Sequence, residues 1–173
     1  FPSDRVETVS HFRGDYPVAT LTGRSWNAQR PLRAAEFSRE GQEGCQIAVL
    51  YARGDLQPTA HQGIHYWALG GSTAAVDLFA GKQEIARCPG APQGFDAGDI
   101  GPHSCTLVSV DGEGEIRTRT IETDAVRWLS ESLPISEGAS LRDVRNALKI
   151  QAERLMSAAQ RPLLVDWILT GPG

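Results

Sequence analysis

The amino-acid sequence predicts an α/β protein. Three observations carry that prediction. Short apolar runs rich in β-branched and aromatic residues recur along the first two thirds, and glycine or proline ends most of them. One segment near the C-terminus repeats its apolar residues at helical spacing. A further strand-like run follows that helix, so the chain closes as strand–helix–strand. With 173 residues, 40% hydrophobic and 22% charged, the chain is long enough for a sizeable core.

Taken in order, Pro17 to Thr22 is a short strand that Gly23-Arg24-Ser25 ends. Residues 28–43 are polar, with room for a helix around Leu32 to Ser38. "CQIAVLY", Cys45 to Tyr51, is a buried strand, and Gly54 and Pro58 break the chain after it. "HYWALG", His65 to Gly70, is the next buried strand. Val76 to Phe79 and Glu84 to Cys88 form two shorter strands about an Ala80-Gly81-Lys82 turn. Residues 88–104 are a long loop rich in glycine and proline. "CTLVSV" and "EIRTRTIET" flank "DGEG" at 111–114, a hairpin signal.

The last third differs. "AVRWLSESLPI", 125–135, is a strand. Leu141, Val144, Leu148, Ala152 and Leu155 then recur on one helical face. Ser140 is placed to cap that helix, and Asp143 to reach back to the cap's backbone N–H. Arg161-Pro162 ends it, and "LLVDWILTG" is the final strand. This block, about 125–171, reads as a small separate unit.

Composition narrows the function. The net charge of −4 and pI of about 5.6 advertise no phosphate-binding surface. Arg24, Arg30, Arg33 and Arg39 leave room for a local basic patch. Cys45, Cys88 and Cys105 are odd in number, widely spaced and without a C-x-x-C, which points to a reducing, cytoplasmic setting. No apolar run approaches the ~20 residues that span a bilayer, so no membrane partner is expected.

Residue chemistry alone is sparse. His61 and His65 are four apart, but Gly63 lies between them and His65 opens a strand, so a local structural role outweighs metal binding. His103 reads as an exposed loop residue, and nothing points to a role for His11. Neither G-x-S-x-G nor a G-x-x-x-x-G-K-[ST] phosphate loop occurs. Cys88, before Pro89, reads as a buried free thiol. Asp96 and Asp99 could bind a cation, but fit better as turn residues that accept local backbone hydrogen bonds.

Two stretches together say more. "IAVLY … HYWALGG" followed by "CPGAPQGFDAGDIGPHSCTLVSVD" resembles the calcineurin-like metallophosphoesterases, most closely the SbcD/YhaO-type DNA-repair exonucleases. "GRSW" at 23–26, "VRW" at 126–128 and "LLVDWILTG" extend the resemblance over most of the chain. It implies the C-terminal half of a metallophosphoesterase β-sandwich flanked by helices over 1–123. Part of a small α+β capping domain would follow over 124–173. The first half of such a domain would then precede Phe1.

The departures are as informative. The resemblance expects a metal-binding histidine at Tyr51 and two more at Gly71 and Thr73. It expects aspartate at His65 and arginine at Phe95. The motifs D-x-H, GD-x-x-D and GNHD are absent. The family holds two divalent ions, such as Mn, ~3.5–4 Å apart that activate water and clamp both reacting oxygens. Glycine supplies no ligand side chain, and neutral Tyr or Thr is a poor one. Tyr51, Gly71 and Thr73 thus read as vestigial active-site positions, with no cofactor and no catalytic residue expected in this chain.

Gly90, Gln93, Phe95 and Asp96 mark a possible binding loop. The expected function is a non-catalytic binding or scaffolding homologue. The alternative is an active phosphodiester hydrolase whose ligands come from an N-terminal half or from a re-routed site at His61, His65, Asp96 and Asp99. Expected partners are that N-terminal half, a second copy of the chain, or an ATPase; the acidic balance counts against tight DNA binding by this chain alone.

Overall fold

A computed structural model describes residues 1–39, 43–51, 63–81 and 83–171. The described chain is a mixed α/β structure dominated by strands, with one α-helix. It forms two compact units, residues 1–91 with 105–121, and residues 92–104 with 122–173. Among the described residues no helix is long and apolar enough to cross a membrane.

The first unit is built on a six-stranded sheet. Its strands are β1 (Glu7–Arg13), β2 (Tyr16–Arg24), β3 (Cys45–Tyr51), β4 (Tyr66–Gly70), β5 (Val76–Ala80) and β6 (Ile85–Cys88). Their order is β1-β2-β3-β4-β6-β5. The central four, β2, β3, β4 and β6, run parallel, and β1 and β5 are antiparallel edges. Parallel strands are covered on both faces and so read as continuous apolar runs; "IAVLY" and "YWALG" do so for this reason.

One face packs Ala48, Leu50, Trp67, Leu69, Ala86 and Cys88 against Ile64 and Phe37. Phe37 meets Trp67 edge to face, with ring centroids 6.0 Å apart. The other face packs Tyr66 and Ile85 against Ile116, with Ile47, Ala68 and Val108 at its rim. Ile116 and Val108 belong to a hairpin of β7 (Ser104–Val110) and β8 (Ile116–Glu122). Its turn is the expected "DGEG", where Asp111 Oδ1 accepts from the N–H groups of Glu113 and Glu115, each at 3.0 Å.

Two features depart from expectation. Among the described residues no α-helix covers this sheet: the helix expected over 32–38 is one 3₁₀ turn, Ala34–Phe37, with no side-chain cap at Arg33. The carbonyls of Arg30 and Pro31, just before it, are instead drawn to the Arg24 guanidinium. The second feature is β1, which no sequence signal flagged. Gly14 and Asp15 form the two-residue connection between Arg13 and Tyr16, and Gly14 takes φ of 64° there.

The second unit is a strand–helix–strand: β9 (Arg127–Pro134), α1 (Leu141–Ala158) and β10 (Leu163–Thr170). The strands pair in parallel from Leu163↔Arg127 to Thr170↔Pro134. The helix begins where the sequence places it. Ser140 Oγ accepts from Asp143 N–H at 3.3 Å, and Asp143 Oδ2 accepts from Ser140 N–H at 3.0 Å. The Ser140 hydroxyl, donating to Asp143 Oδ2 at 2.6 Å, and then the Ser140 N–H hold the Asp143 carboxyl below its ordinary range. Val144, Leu148, Ala152 and Leu155 are half-buried, whereas Leu141 is exposed.

Before β9 lies a buried carboxylate. Asp124 accepts from Arg127 Nε at 2.8 Å and from Arg161 Nη1, while Glu122 accepts from both guanidinium groups at 2.7 and 2.8 Å. The clamp fastens the start of β9 to the start of β10.

Two predictions follow from packing and charge. Phe37→Ala should destabilise the chain by about 3–5 kcal/mol in urea unfolding, because it empties the centre of one sheet face. Hydrogen bonds from Arg127, chiefly, hold the Asp124 carboxyl below its ordinary range. Its contribution is complete above the unfolded carboxyl value of about 3.9, and is lost as pH falls through the lower folded value. Asp124→Asn should lower stability by about 3 kcal/mol near neutrality and flatten its acid dependence, as read from unfolding midpoints between pH 7 and 2.

Candidate functional site

Open α/β sheets bind ligands beyond the carboxyl ends of their parallel strands. In the first unit those ends are Arg24 on β2, Tyr51 on β3, Gly70 on β4 and Cys88 on β6. The parallel register sets Tyr51 directly beside Gly70. A cavity of about 460 Å³ opens there. Phe1, Tyr51, Tyr66, Leu69, Gly70 and Pro89 are among its lining residues, and none of the lining residues is His, Cys, Asp or Glu. Burial pushes the Tyr66 phenol up, so it stays a neutral hydroxyl.

The site's cation is already engaged. Arg24 is 1% exposed. Its guanidinium donates to Glu36 Oε2 at 2.9 Å, Arg30 O at 2.8 Å and Pro31 O at 3.0 Å. The expected basic patch therefore loses its first member to the interior. Arg30 and Arg39 also make contacts within the chain, to the backbone of Asp4 and to Thr8 Oγ1. No sequence signal marked Arg24 as buried, since it stands in the Gly23-Arg24-Ser25 segment read as the end of a strand.

Tyr51 ends β3 beside Gly70, and Gly71 and Thr73 follow just beyond the end of β4. Tyr51 is 44% exposed, and its ring lies in contact range of any Cβ added at Gly70. Gly71 follows with φ of 107°, a conformation that suits glycine alone. Thr73 is exposed, and its carbonyl accepts from Ala91 N–H at 2.9 Å. Gly90 sits against this same stretch: a Cβ there would stand 2.7 Å from Thr73 O. Gly90 thus belongs with the strand tips in the first unit.

Gln93, Phe95 and Asp96 belong to the second unit. Gln93 is a structural pin. Its Nε2 donates to Val126 O at 2.7 Å, and its Oε1 accepts from Ala125 N–H at 2.8 Å. Gly94 has no room for a side chain, since a Cβ would meet Asp99 O, His103 Nε2 and Trp128 Cδ1 within 3.1 Å. Asp96 Oδ1 accepts from Gly98 N–H, and Asp99 Oδ2 from Phe95 N–H, as turn residues do. Phe95 stands 75% exposed at the tip.

The histidines divide. His61 lies outside the described residues. His65 Nδ1 accepts from Gln46 N–H at 2.9 Å, which ties the start of β4 to β3. His103, expected to be exposed, is buried, with Nε2 3.0 Å from Asp99 O. Cys88 is buried and free, and its thiol donates to Ser72 O at 3.8 Å. Among the described residues no three His, Cys, Asp or Glu side chains come together as a metal site would need. Tyr51, Gly71 and Thr73 do not fit the donor set of a two-metal centre.

Arg24→Met should cost about 3 kcal/mol in urea unfolding, because it leaves the Arg30 and Pro31 carbonyls without their donor and, among the described residues, Glu36 with only Arg30 at 3.8 Å. Arg24→Lys should recover only part of that, since an ammonium cannot reproduce the guanidinium fork. No protein-family model matches this chain, and no curated protein matches it either.

Proposed function

We propose that this chain is a non-catalytic binding element of metallophosphoesterase descent, whose ligand occupies the cavity at the carboxyl ends of β2, β3 and β4. One observation carries the reading. The tips of adjacent parallel strands meet at a cavity, as in an α/β binding site, yet its lining is mainly aromatic and aliphatic, with the hydroxyls of Ser25 and Thr106 and the engaged Arg24 but no His, Cys, Asp or Glu. Such a lining can hold a ligand by contact area and stacking. It offers no base to activate water and no imidazole to hold a metal.

The resemblance supports the same reading, because the residues that keep β4 buried are retained while Gly71 and Thr73 stand where ligands are expected. Three free cysteines suit a reducing, cytoplasmic setting. The test is a phosphodiesterase assay of the purified chain with added manganese, on a chromogenic diester and on single-stranded DNA. No turnover above the buffer rate is expected. Robust cleavage that disappears on Thr73→Ala or Tyr51→Phe would refute the proposal.

A further inference from the structure

The six-stranded sheet ends on one side at β1, whose outer edge pairs with no strand among the described residues. An open edge is a template for another strand, and proteins blunt it with proline, lysine or a bulge. β1, "ETVSHFR", contains neither proline nor lysine. The irregularity in its ladder with β2 places the extra residue, Val18, on β2, so β1 itself stays regular. Val9 and Phe12 are 58% and 55% exposed.

We propose that β1 is a self-association surface, pairing antiparallel with β1 of a second copy about a two-fold axis at Ser10. This inference is independent of what the cavity binds. The occupant follows from charge. In this register Glu7 of each copy faces Arg13 of the other, Thr8 faces Phe12, and Val9 faces His11. Glu7, Val9, His11 and Arg13 share one side of the strand, and a two-fold axis normal to the sheet keeps opposed residues on the same side. The two acidic ends thus meet the two basic ends. Arg13 makes no ion pair among the described residues. Glu7 already accepts from Arg5 at 2.5 Å, and a carboxylate can take a second donor.

The other edges lack this symmetry. β5 carries one charge, Asp77, held by Arg87 at 3.3 Å. β9 ends at Pro134, and β10 carries Asp166 with no base. In β8, Arg117 and Glu122 are engaged within the chain.

Sedimentation equilibrium on the full chain tests the pairing. The wild type should form a reversible dimer that weakens with added salt. Glu7→Arg and Arg13→Glu should each weaken it about tenfold or more, since each places like charges opposite one another twice per dimer. The double exchange Glu7→Arg/Arg13→Glu restores opposite charges and should return affinity to within about threefold of wild type. Thermal melts check that each variant folds. Should a reversal variant unfold, Arg13→Gln takes its place, expected about threefold weaker. A monomeric wild type, a dimer indifferent to the single changes, or a double exchange no better than the singles overturns the proposal.

Discussion

A parallel sheet must be covered on both faces, and the first unit meets that demand without an α-helix among its described residues. The constraint is severe because β3 and β4 present apolar side chains to both sides. One face is covered by the β7–β8 hairpin. The other is covered by the irregular segment that carries Phe37. Irregular chain over a core leaves backbone carbonyls in need of donors. Arg24 supplies them, with one guanidinium serving Glu36, Arg30 O and Pro31 O from a fully buried position. A buried cation is costly unless every acceptor is well placed. This one is kept because without it the segment that seats Phe37 on Trp67 would have no fixed path.

The same arrangement fixes what the strand tips can offer. β2 must end in Arg24 to hold the cover, so its tip is occupied by a structural cation. β3 ends in Tyr51, whose ring lies alongside Gly70. β4 leaves through Gly71 at φ of 107°, where a side chain would be strained. A histidine at Gly71 would have to be accommodated in that conformation, so glycine there is a backbone solution. Scaffold and site separate at this point: residues 66–69 are held by packing on two faces, whereas 71–73 are exposed, with Gly71 held by its backbone conformation.

This separation also explains which parts were legible in the sequence. The buried strands "IAVLY" and "YWALG" and the half-exposed "CTLVSV" read well, since each carries its own apolar pattern. The capping box read well because Ser140 and Asp143 act within four residues. β1 did not read, since both its faces are largely exposed and its pairing with β2 is all that makes it a strand. The segment at 32–38 read as helix on local grounds, but Arg24, distant in sequence, draws the preceding carbonyls away. His103 read as exposed because its loop is polar, yet it is buried against Asp99 O and Gly94. For the site, sequence could name Tyr51, Gly71 and Thr73 but not their neighbours. Only the ladder pairs Tyr51 with Gly70, and only the loop geometry brings Gly90 onto Thr73.

The second unit solves a different problem with a different interaction. Two parallel strands and one helix bury little: no residue of α1 is fully buried, and Leu133 is the one buried hydrophobic residue among the unit's described residues. A core that small cannot by itself hold β9 beside β10. Charge does part of the holding. Asp124 and Glu122 each bind both Arg127 and Arg161, so four side chains tie two strand starts that are far apart in sequence. Gln93 adds a second tie, from the loop to Ala125 and Val126. The loop motif "PGAPQG" therefore has a structural reason in its Gln93 and Gly94. What it leaves uncommitted is Phe95, whose side chain projects without a role in the clamp.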